Sequence, residues 1–459
     1  MRRRTVSPSH PAVQFLLLIV FFGSPRGVLA AGLVPATEVE GYFQSELAYR
    51  YPQNAAFSKF LNFLQLELHT TLSDRIRLVT IGRFSYNAIY DFESFFVVNP
   101  VRTEFDRTPA EIAGFSPHRT DLLLKEFYLD WQTPAVDSRI GRQIVRWGLI
   151  EGFRITDTIN PMDFSEFILR EVGDRYIPLW MAKEDFYFGD LTVEALLIPD
   201  LTFNQPALPG TEWEEFQIPP NTVTPANSPV NWEWGIRFAE NIGGWDSSFS
   251  YLYAWDQFPG AFRGAFGSDA ATLTFTPRYT RLHTFGLTTS KNIEGAVLGI
   301  ETAYVHGKYI ETGIDSNHDG VLDEGDTFGE SEQDTIAYGV SADFNWKETD
   351  ITFQYSQTIL PHYQPDLMTD QVVSGASLFI RKQWLNNRLL TQFSTLYFFN
   401  HEEALIRPRV EYKWSDHLKL STGADLFSGH HSSSLNSEFD FIGFFKDHDR
   451  IIGEARYSF

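Results

Sequence analysis

The last ten residues, 450–459 (RIIGEARYSF), constrain the fold of this chain more than any other segment. In an extended strand, successive side chains point to opposite faces. One face would carry only apolar or small residues, namely Ile451, Gly453, Ala455, Tyr457 and Phe459. The other face is largely polar. A strand that alternates in this way suits a wall between lipid and water, which predicts a transmembrane β-barrel.

The same segment carries a signature at its end. Phe459 is the last residue of the sequence and Tyr457 stands two places before it. This arrangement resembles the C-terminal signature of bacterial outer-membrane barrels. The resemblance implies recognition by the barrel assembly machinery, so that machinery and outer-membrane lipid are expected partners.

The first thirty residues have the organisation of an export signal. Arg2, Arg3 and Arg4 precede an apolar run at 15–23 that is too short to span a bilayer, and Ala30 ends a small-residue cleavage site. We predict a signal peptide at 1–30, a single barrel domain at 31–459, and a location in the bacterial outer membrane. A membrane anchor helix is the alternative, which Pro25 and Arg26 disfavour because they interrupt the run.

The composition excludes several classes of protein. A net charge of −22 argues against nucleic acid as a partner. The absence of cysteine excludes disulfides, thiolate metal sites and cysteine nucleophiles. An aromatic content of 15% beside a slightly negative mean hydropathy suits alternating strands better than one buried core. A soluble all-β secreted protein is the alternative reading.

Period-two alternation along the chain predicts an all-β, antiparallel barrel of about 18 strands, within a range of 16–20. The predicted strands are 39–51, 60–72, 75–88, 122–132, 137–147, 181–189, 191–198, 230–240, 245–256, 278–291, 294–310, 333–347, 349–360, 373–384, 387–400, 403–414, 416–427 and 449–459. Alternate connections are tight turns, which we expect on the periplasmic side. The others are long, which indicates extracellular loops or loops folded into the lumen.

One long loop, 311–332, contains a calcium-binding pattern. Oxygen ligands recur at the spacing of an EF-hand loop, with Gly320 at the turn. The predicted ligands are Asp315, Asn317, Asp319, the Val321 carbonyl, Asp323 and Asp326. The final Asp resembles the calcium loops of dockerin-like modules, which implies a structural Ca²⁺. An acidic turn that binds no ion is the alternative.

A second motif runs from Gly-Arg-Gln at 141–143 through Trp147-Gly148 to Asn-Pro-Met-Asp at 160–163. Here the chain resembles a group of bacterial porin-like barrels that share a Gly-Arg-Gln strand, a Trp-Gly end and an Asn-Pro-x-Asp loop. The resemblance implies an outer-membrane channel and, in some relatives, an association with efflux or with transport of hydrophobic compounds. It identifies no substrate.

The charges of this motif predict a constriction. Arg142 and Arg146 would share one face of a strand and point into the lumen. We expect loop 148–180 to fold inward and to form a constriction of mixed charge. The candidate lumen residues are Arg142, Arg146, Glu151, Arg154, Asp157 and Asp163. In the alternative, the two arginines only pair with carboxylates of the barrel wall.

The sequence favours a porin-like channel for passive or gated passage of small solutes, with weak cation preference at most. The alternative is a plugged barrel that acts as a surface receptor or as a partner in efflux or hydrophobic-compound transport. An outer-membrane lipase-type enzyme is a minor alternative, because His430, His431, Ser432 and Asn436 lie in a loop without a recognisable nucleophile turn. We therefore predict no enzyme activity. A homo-oligomer is compatible with the sequence.

Overall fold

The computed structural model describes residues 36–51, 55–91, 120–207, 211–214, 218–263, 275–314, 327–429 and 441–459. Three predicted features lie outside these residues: the signal peptide at 1–30, all six calcium ligands in 315–326, and the polar segment 430–436.

Eighteen long strands form the wall of the molecule. They are β1 (Ala36–Arg50), β2 (Ala56–Ser73), β3 (Ile76–Asn87), β4 (Thr120–Gln132), β5 (Val136–Gln143), β6 (Leu179–Phe188), β7 (Leu191–Ile198), β8 (Glu233–Ile242), β9 (Trp245–Trp255), β10 (Arg281–Ile293), β11 (Ala296–Ile314), β12 (Thr327–Trp346), β13 (Thr349–Ile359), β14 (Val372–Trp384), β15 (Leu389–Phe398), β16 (Glu403–Lys413), β17 (Leu418–Ser428) and β18 (Arg450–Ser458). Each strand pairs antiparallel with the next, and β1 pairs with β18. The sheet therefore closes, which confirms the predicted barrel of about 18 strands.

Other regular structure in the described part of the chain is short. One helix, α1, covers Val172–Arg175, and single 3₁₀ turns cover Ala88–Asp91, Pro229–Asn231 and Gly443–Phe445. Ser165–Ile168 is extended, and Gly260–Arg263 pairs with Phe275–Arg278 in a separate hairpin. Among the described residues, no helix is both long and apolar enough to cross a membrane.

The connections differ between the two ends of the barrel. At one end, which we call the turn end, tight turns join β2 to β3, β6 to β7 and later pairs, and the chain starts β1 and finishes β18 there. Lys347 and Glu348 have φ of 49° and 62°, as a two-residue type I′ turn requires. At the loop end most connections are long, including 88–119, 144–178, 199–232 and 429–449. Only the connections at 51–55 and 399–402 are short there.

The outer face carries an apolar belt. Large apolar side chains remain well exposed around the barrel, and the last strand follows the alternation expected from its sequence: Ile451, Tyr457 and Phe459 are 45–49% exposed, whereas Arg450 is 3% exposed. Arg450 instead donates to Asp425 across the β17–β18 pair. The sheet is closed, with apolar residues outside and polar residues inside. Lipid on the outer face and water on the inner face favour this arrangement.

Several predicted strand boundaries are wrong. The strand predicted at 294–310 continues to Ile314, and the strand predicted at 333–347 begins at Thr327, so the connection between them is shorter than the predicted loop 311–332. The difference that matters most for the interior lies at the end of β5. The sequence predicts a strand over 137–147, but β5 ends at Gln143. The chain then leaves the wall. The backbone N–H of Val145 accordingly donates to the side chain of Asn160 and not to a neighbouring strand. Trp147 is buried in a cluster inside the barrel with Leu196 and Leu252. Arg142 and Arg146 therefore do not share a strand.

Candidate functional site

Residues 144–178, which we call the crossing segment, connect β5 to β6 and lie inside the barrel. Asn160 joins the two ends of this segment. Its side-chain oxygen accepts from Val145 N at 2.8 Å, and its side-chain nitrogen donates to the carbonyl of Ile177 at 2.9 Å. Asn160 is fully buried. The Asn-Pro-x-Asp motif thus has a local structural purpose, because one amide side chain satisfies backbone groups from both ends of the loop.

A single wall carboxylate holds the middle of the crossing segment. Glu301 on β11 accepts from Leu149 N at 2.7 Å and from Ile150 N at 3.0 Å through Oε2. Its Oε1 accepts from both the N–H and the hydroxyl of Thr156, each at 2.7 Å. Glu301 has no exposed surface. Four donors from one loop converge on this carboxylate, and hydrogen bonds to a charged acceptor are the stronger kind.

The tip of the segment reaches the wall at β13–β15. Gly152 N donates to Gln354 Oε1 at 2.9 Å, and Ser377 Oγ donates to the same oxygen at 2.9 Å. Phe153 meets Phe398 edge to face, with ring centroids 6.1 Å apart. A Cβ at Gly152 would lie 2.6 Å from Gln354 Oε1 and 2.7 Å from Ser377 Oγ, so any larger residue would have to displace these two side chains.

The later part of the segment is held by charge. Asp174 accepts from Arg83 Nη2 on β3 at 2.9 Å and pairs with Lys125 on β4. Glu166 lies 2.7 Å from Lys59 Nζ on β2 and 3.6 Å from Arg450 Nη2 on β18. Together with the Glu301 and Gln354 contacts, these ion pairs connect one loop to opposite parts of the barrel wall.

The ion pairs alter the acidity of Asp174. Burial alone would raise the pKa of this carboxyl, but the positive charges of Lys125 and Arg83 outweigh it and lower the pKa to about 2. Asp174 is therefore ionised at neutral pH and pairs with both cations on the adjacent strands β3 and β4.

Four of the predicted lumen residues come together around Tyr176. Arg146 donates to Asp157 Oδ2 at 3.1 Å and to Glu151 Oε1 at 3.2 Å. Arg154 donates to the carbonyl of Asp157 at 2.9 Å. The hydroxyl of Tyr176 also bonds to Asp157, and burial followed by that carboxylate raises the Tyr176 pKa to about 12. This cluster holds charges of both signs at the centre of the crossing segment.

The other two predicted lumen residues lie apart from that cluster. Asp163 pairs with Arg170 and accepts from Ser165 N at 2.8 Å. Arg142 is the penultimate residue of β5, and its Nε donates to the carbonyl of Leu124 at 2.8 Å. Glu301, Gln354 and Asp174 were not predicted as site residues, since nothing near them in the sequence indicates their distant partners.

A cavity of about 910 Å³ lies between the crossing segment and the wall. Its lining contains as many cationic as acidic side chains. The cations are Lys59, Arg83, Lys125, Arg142, Arg170, Arg407, Arg409 and Arg450, and the acids are Glu46, Asp121, Asp163, Glu166, Glu171, Asp174, Glu411 and Glu454. Most of these groups pair with one another, so the cavity is polar but has little net charge.

Comparison with known proteins supports the fold. A family model described as "Protein of unknown function (DUF1302)" matches residues 116–330, which include the crossing segment. No curated protein matches the chain. Acinetobacter baumannii OccAB2 is similar in structure, with 9% identity, a TM-score of 0.51, and coverage of 94% of this chain and 99% of that one.

Two Pseudomonas aeruginosa structures give similar results. OccK8 (OprE) has 9% identity and a TM-score of 0.50, with 94% of this chain and 99% of that one covered. OccK2 (OpdF), solved in complex with glucuronate, has 9% identity and a TM-score of 0.50, with 93% and 99% covered. At such low identity, the similarity concerns the barrel fold alone.

Proposed function

We propose that this chain is a porin-like channel of the bacterial outer membrane that admits small solutes, passively or by gating. The observation that carries this proposal is the crossing segment, which connects opposite walls through Glu301, Asp174 and Glu166 and leaves a charged cavity beside it. A loop held in this way narrows the lumen without filling it. Pore diameter and lining charge are the properties that determine which solutes pass a channel.

The orientation follows from the two ends of the barrel. The turn end faces the periplasm and the loop end faces outward, as in barrels with short periplasmic turns and long extracellular loops. The apolar belt contacts outer-membrane lipid. The cluster of Arg146, Glu151, Arg154 and Asp157 forms the constriction, and its balanced charge gives weak ion selectivity.

Conductance of the folded protein tests the proposal. The purified mature chain is inserted in a planar bilayer under a KCl gradient, after heat-modifiable migration on a gel has verified folding. The expected result is stepwise conductance with a small reversal potential. If verified folded barrels show no conductance, the channel proposal is wrong and the plugged barrel is favoured.

One observation favours that second candidate. Phe167 of the crossing segment, Trp213 of the 199–232 connection and Phe445 of the 429–449 connection pack in one buried cluster with Leu405 and Phe427 of the wall. The ring centroids of Phe167 and Phe445 are 4.7 Å apart. Such dry packing of three connections suits a plugged surface receptor or efflux partner.

The calcium loop is part of the proposal, with a structural Ca²⁺ bound by Asp315, Asn317, Asp319, Val321, Asp323 and Asp326. Extracellular calcium reaches concentrations that fill weak sites of this kind. Limited proteolysis with and without chelator tests it, and chelator should accelerate cleavage within 311–332. The paired substitution Asp315→Ala with Asp326→Ala should abolish that difference, whereas equal cleavage rates in the unsubstituted chain would contradict the site.

A further inference from the structure

Among the described residues, part of the β4 edge has no strand partner on one side. β3 pairs with β4 as far as Thr120, opposite Tyr86. On its other side, β4 pairs with β5 only from Phe127, opposite Arg142, because β5 ends and the chain turns inward. Within the described part of the chain, no strand pairs with 120–126 on that side. At about 3.3 Å per residue, the unpaired edge is roughly 20 Å long.

The cavity reaches this gap. On the β4 side, Leu123 and Lys125 line the cavity, and on the far side Ile177, Pro178 and Phe203 line it. The outward residues of the β4 edge are apolar, since Leu122 is 80% exposed and faces away from the cavity. Within the described residues, the gap therefore has a charged interior and an apolar outer lip.

Arg142 lies beside the gap. By register it lies on the same face as Phe127 and Trp180, and both of these are large, exposed apolar residues of the outer face. Arg142 is nevertheless among the residues that line the cavity, and its Nε donates to the Leu124 carbonyl, which strand pairing with β5 does not reach.

No ion pair within the described residues neutralises Arg142, although the Asp200 carboxylate acts on its charge from farther away. Among the described residues, Arg142 makes no ion pair within 4.0 Å, in contrast to Arg83 and Lys125 beside it, which pair with Asp174. Ionisable residues at membrane depth are costly to maintain and generally mark a ligand or ion pathway. A guanidinium presents several donors in the geometry that a carboxylate accepts.

We propose that the gap is a lateral opening between the lumen and the bilayer, and that it passes amphipathic organic anions with one carboxylate on a single alkyl chain. Arg142 binds the carboxylate, and Phe127, Trp180 and Leu124 contact the chain on the lipid side. The cavity of about 910 Å³ is large enough to hold such a molecule. This inference rests on the proposed channel, to which it adds a second exit.

Binding of dodecanoate tests the role of Arg142. The full mature chain is placed in lipid nanodiscs, and bound radiolabelled dodecanoate is measured against empty nanodiscs. Arg142→Leu should weaken binding about tenfold, the loss expected for a charged hydrogen-bonding partner, and Arg142→Lys should restore part of it. Dodecyltrimethylammonium, with the same chain and the opposite charge, should bind no better to the unsubstituted protein than to Arg142→Leu.

A matched control is available on the opposite wall. Lys382 also donates to a backbone carbonyl, that of Lys347 at 3.1 Å, and its ammonium lies over the Trp384 ring. Lys382→Leu removes an equivalent charge away from the gap and should leave dodecanoate binding unchanged. Equal binding by Arg142→Leu, Lys382→Leu and the unsubstituted chain would overturn the lateral opening.

A chemical block tests the path itself. The chain contains no cysteine, so Leu122→Cys gives a single labelling site on the outer lip. A bulky maleimide there should slow transfer of dodecanoate between bilayer and lumen at least fivefold, while KCl conductance persists. Unchanged transfer would overturn the opening and leave the channel standing. Arg142-dependent binding in a barrel that never conducts would support the opening and overturn the channel.

Discussion

Glu301 and Thr156 are 145 positions apart in the sequence, yet one carboxylate oxygen of Glu301 accepts both the backbone N–H and the hydroxyl of Thr156 at 2.7 Å. The other oxygen accepts two further backbone N–H groups, from Leu149 and Ile150. Because Glu301 is fully buried, none of these bonds is exchanged with water. Glu301 thus holds the middle of the crossing segment, residues 149–156, against the wall.

Substitution of Glu301 should release the segment. In Glu301→Gln the side-chain amide presents a donor towards N–H groups that need an acceptor. This mismatch should cost about 2 kcal/mol of the free energy that docks the segment on the wall. We expect hydrogen-exchange protection of 149–156 to fall roughly 30-fold and channel current to become noisier. Glu332→Gln, at an exposed carboxylate that accepts from Tyr309, is the control. Equal protection of 149–156 in Glu301→Gln and Glu332→Gln would contradict the role of Glu301 in holding the segment.

Acid should loosen the charged part of the segment. The native pKa of Asp174 is depressed to about 2, whereas an unperturbed Asp titrates at about 3.9. The ionised carboxylate therefore stabilises the docked segment above about pH 4, and this stabilisation is lost as the pH falls towards 2. Hydrogen exchange of 166–176 should accelerate over that interval.

The variant Asp174→Asn should show fast exchange already at neutral pH and little further change on acidification. Asp416→Asn, which removes an exposed carboxylate from a turn, serves as the control and should retain the acid-dependent change. If hydrogen exchange of 166–176 depends on pH in Asp174→Asn as it does in the unsubstituted chain, groups other than Asp174 hold this part of the segment.

Glycine at position 152 should be required for close contact with the wall. A methyl group there would lie 2.6 Å from Gln354 Oε1 and 2.7 Å from Ser377 Oγ, so Gly152→Ala should cost about 1–3 kcal/mol of docking free energy. Gly173→Ala in the same segment adds a Cβ with no atom within 4 Å and is the matched control. Protease sensitivity of the segment compares the two, and equal sensitivity would contradict the contact.

Removal of one cation from the central cluster should change ion selectivity. Arg146 is paired with Asp157 and Glu151, so Arg146→Gln leaves two carboxylates without that cation. The reversal potential in a KCl gradient should shift towards the value for a cation-selective channel. The permeability of K⁺ relative to Cl⁻ should rise about two- to threefold. Lys382→Gln on the outer wall should not shift it. An identical shift in both variants would place the selectivity outside the cluster.

The barrel was predictable because its signal is local. Each strand shows its period of two within about ten residues, so eighteen strands emerge without knowledge of their partners. The end of β5 was not predictable for the same reason. Gln143, Val145 and Trp147 continue the alternation, but Val145 and Trp147 pack on protein inside the barrel and not on the wall. An apolar side chain does not reveal whether lipid or another side chain covers it.

The candidate site divides along similar lines. Arg146, Glu151, Arg154 and Asp157 lie within twelve consecutive positions, so their proximity follows from the local chain. The partners of Glu301 and Asp174 depend on closure of the whole barrel, and a single sequence contains no local trace of them. The placement of Arg142 beside a gap depends in turn on where β5 ends.

The ion pair between Glu166 and Arg450 has a consequence for biogenesis. Arg450 opens β18, the last strand made, whereas Glu166 belongs to a loop made near the first third of the chain. The ion pair between this loop and Arg450 can therefore form only when the final strand is in place and pairs with β1. Contacts so distant in sequence form late and slowly, so the part of the interior around Glu166 becomes fully ordered only as the seam between β18 and β1 closes.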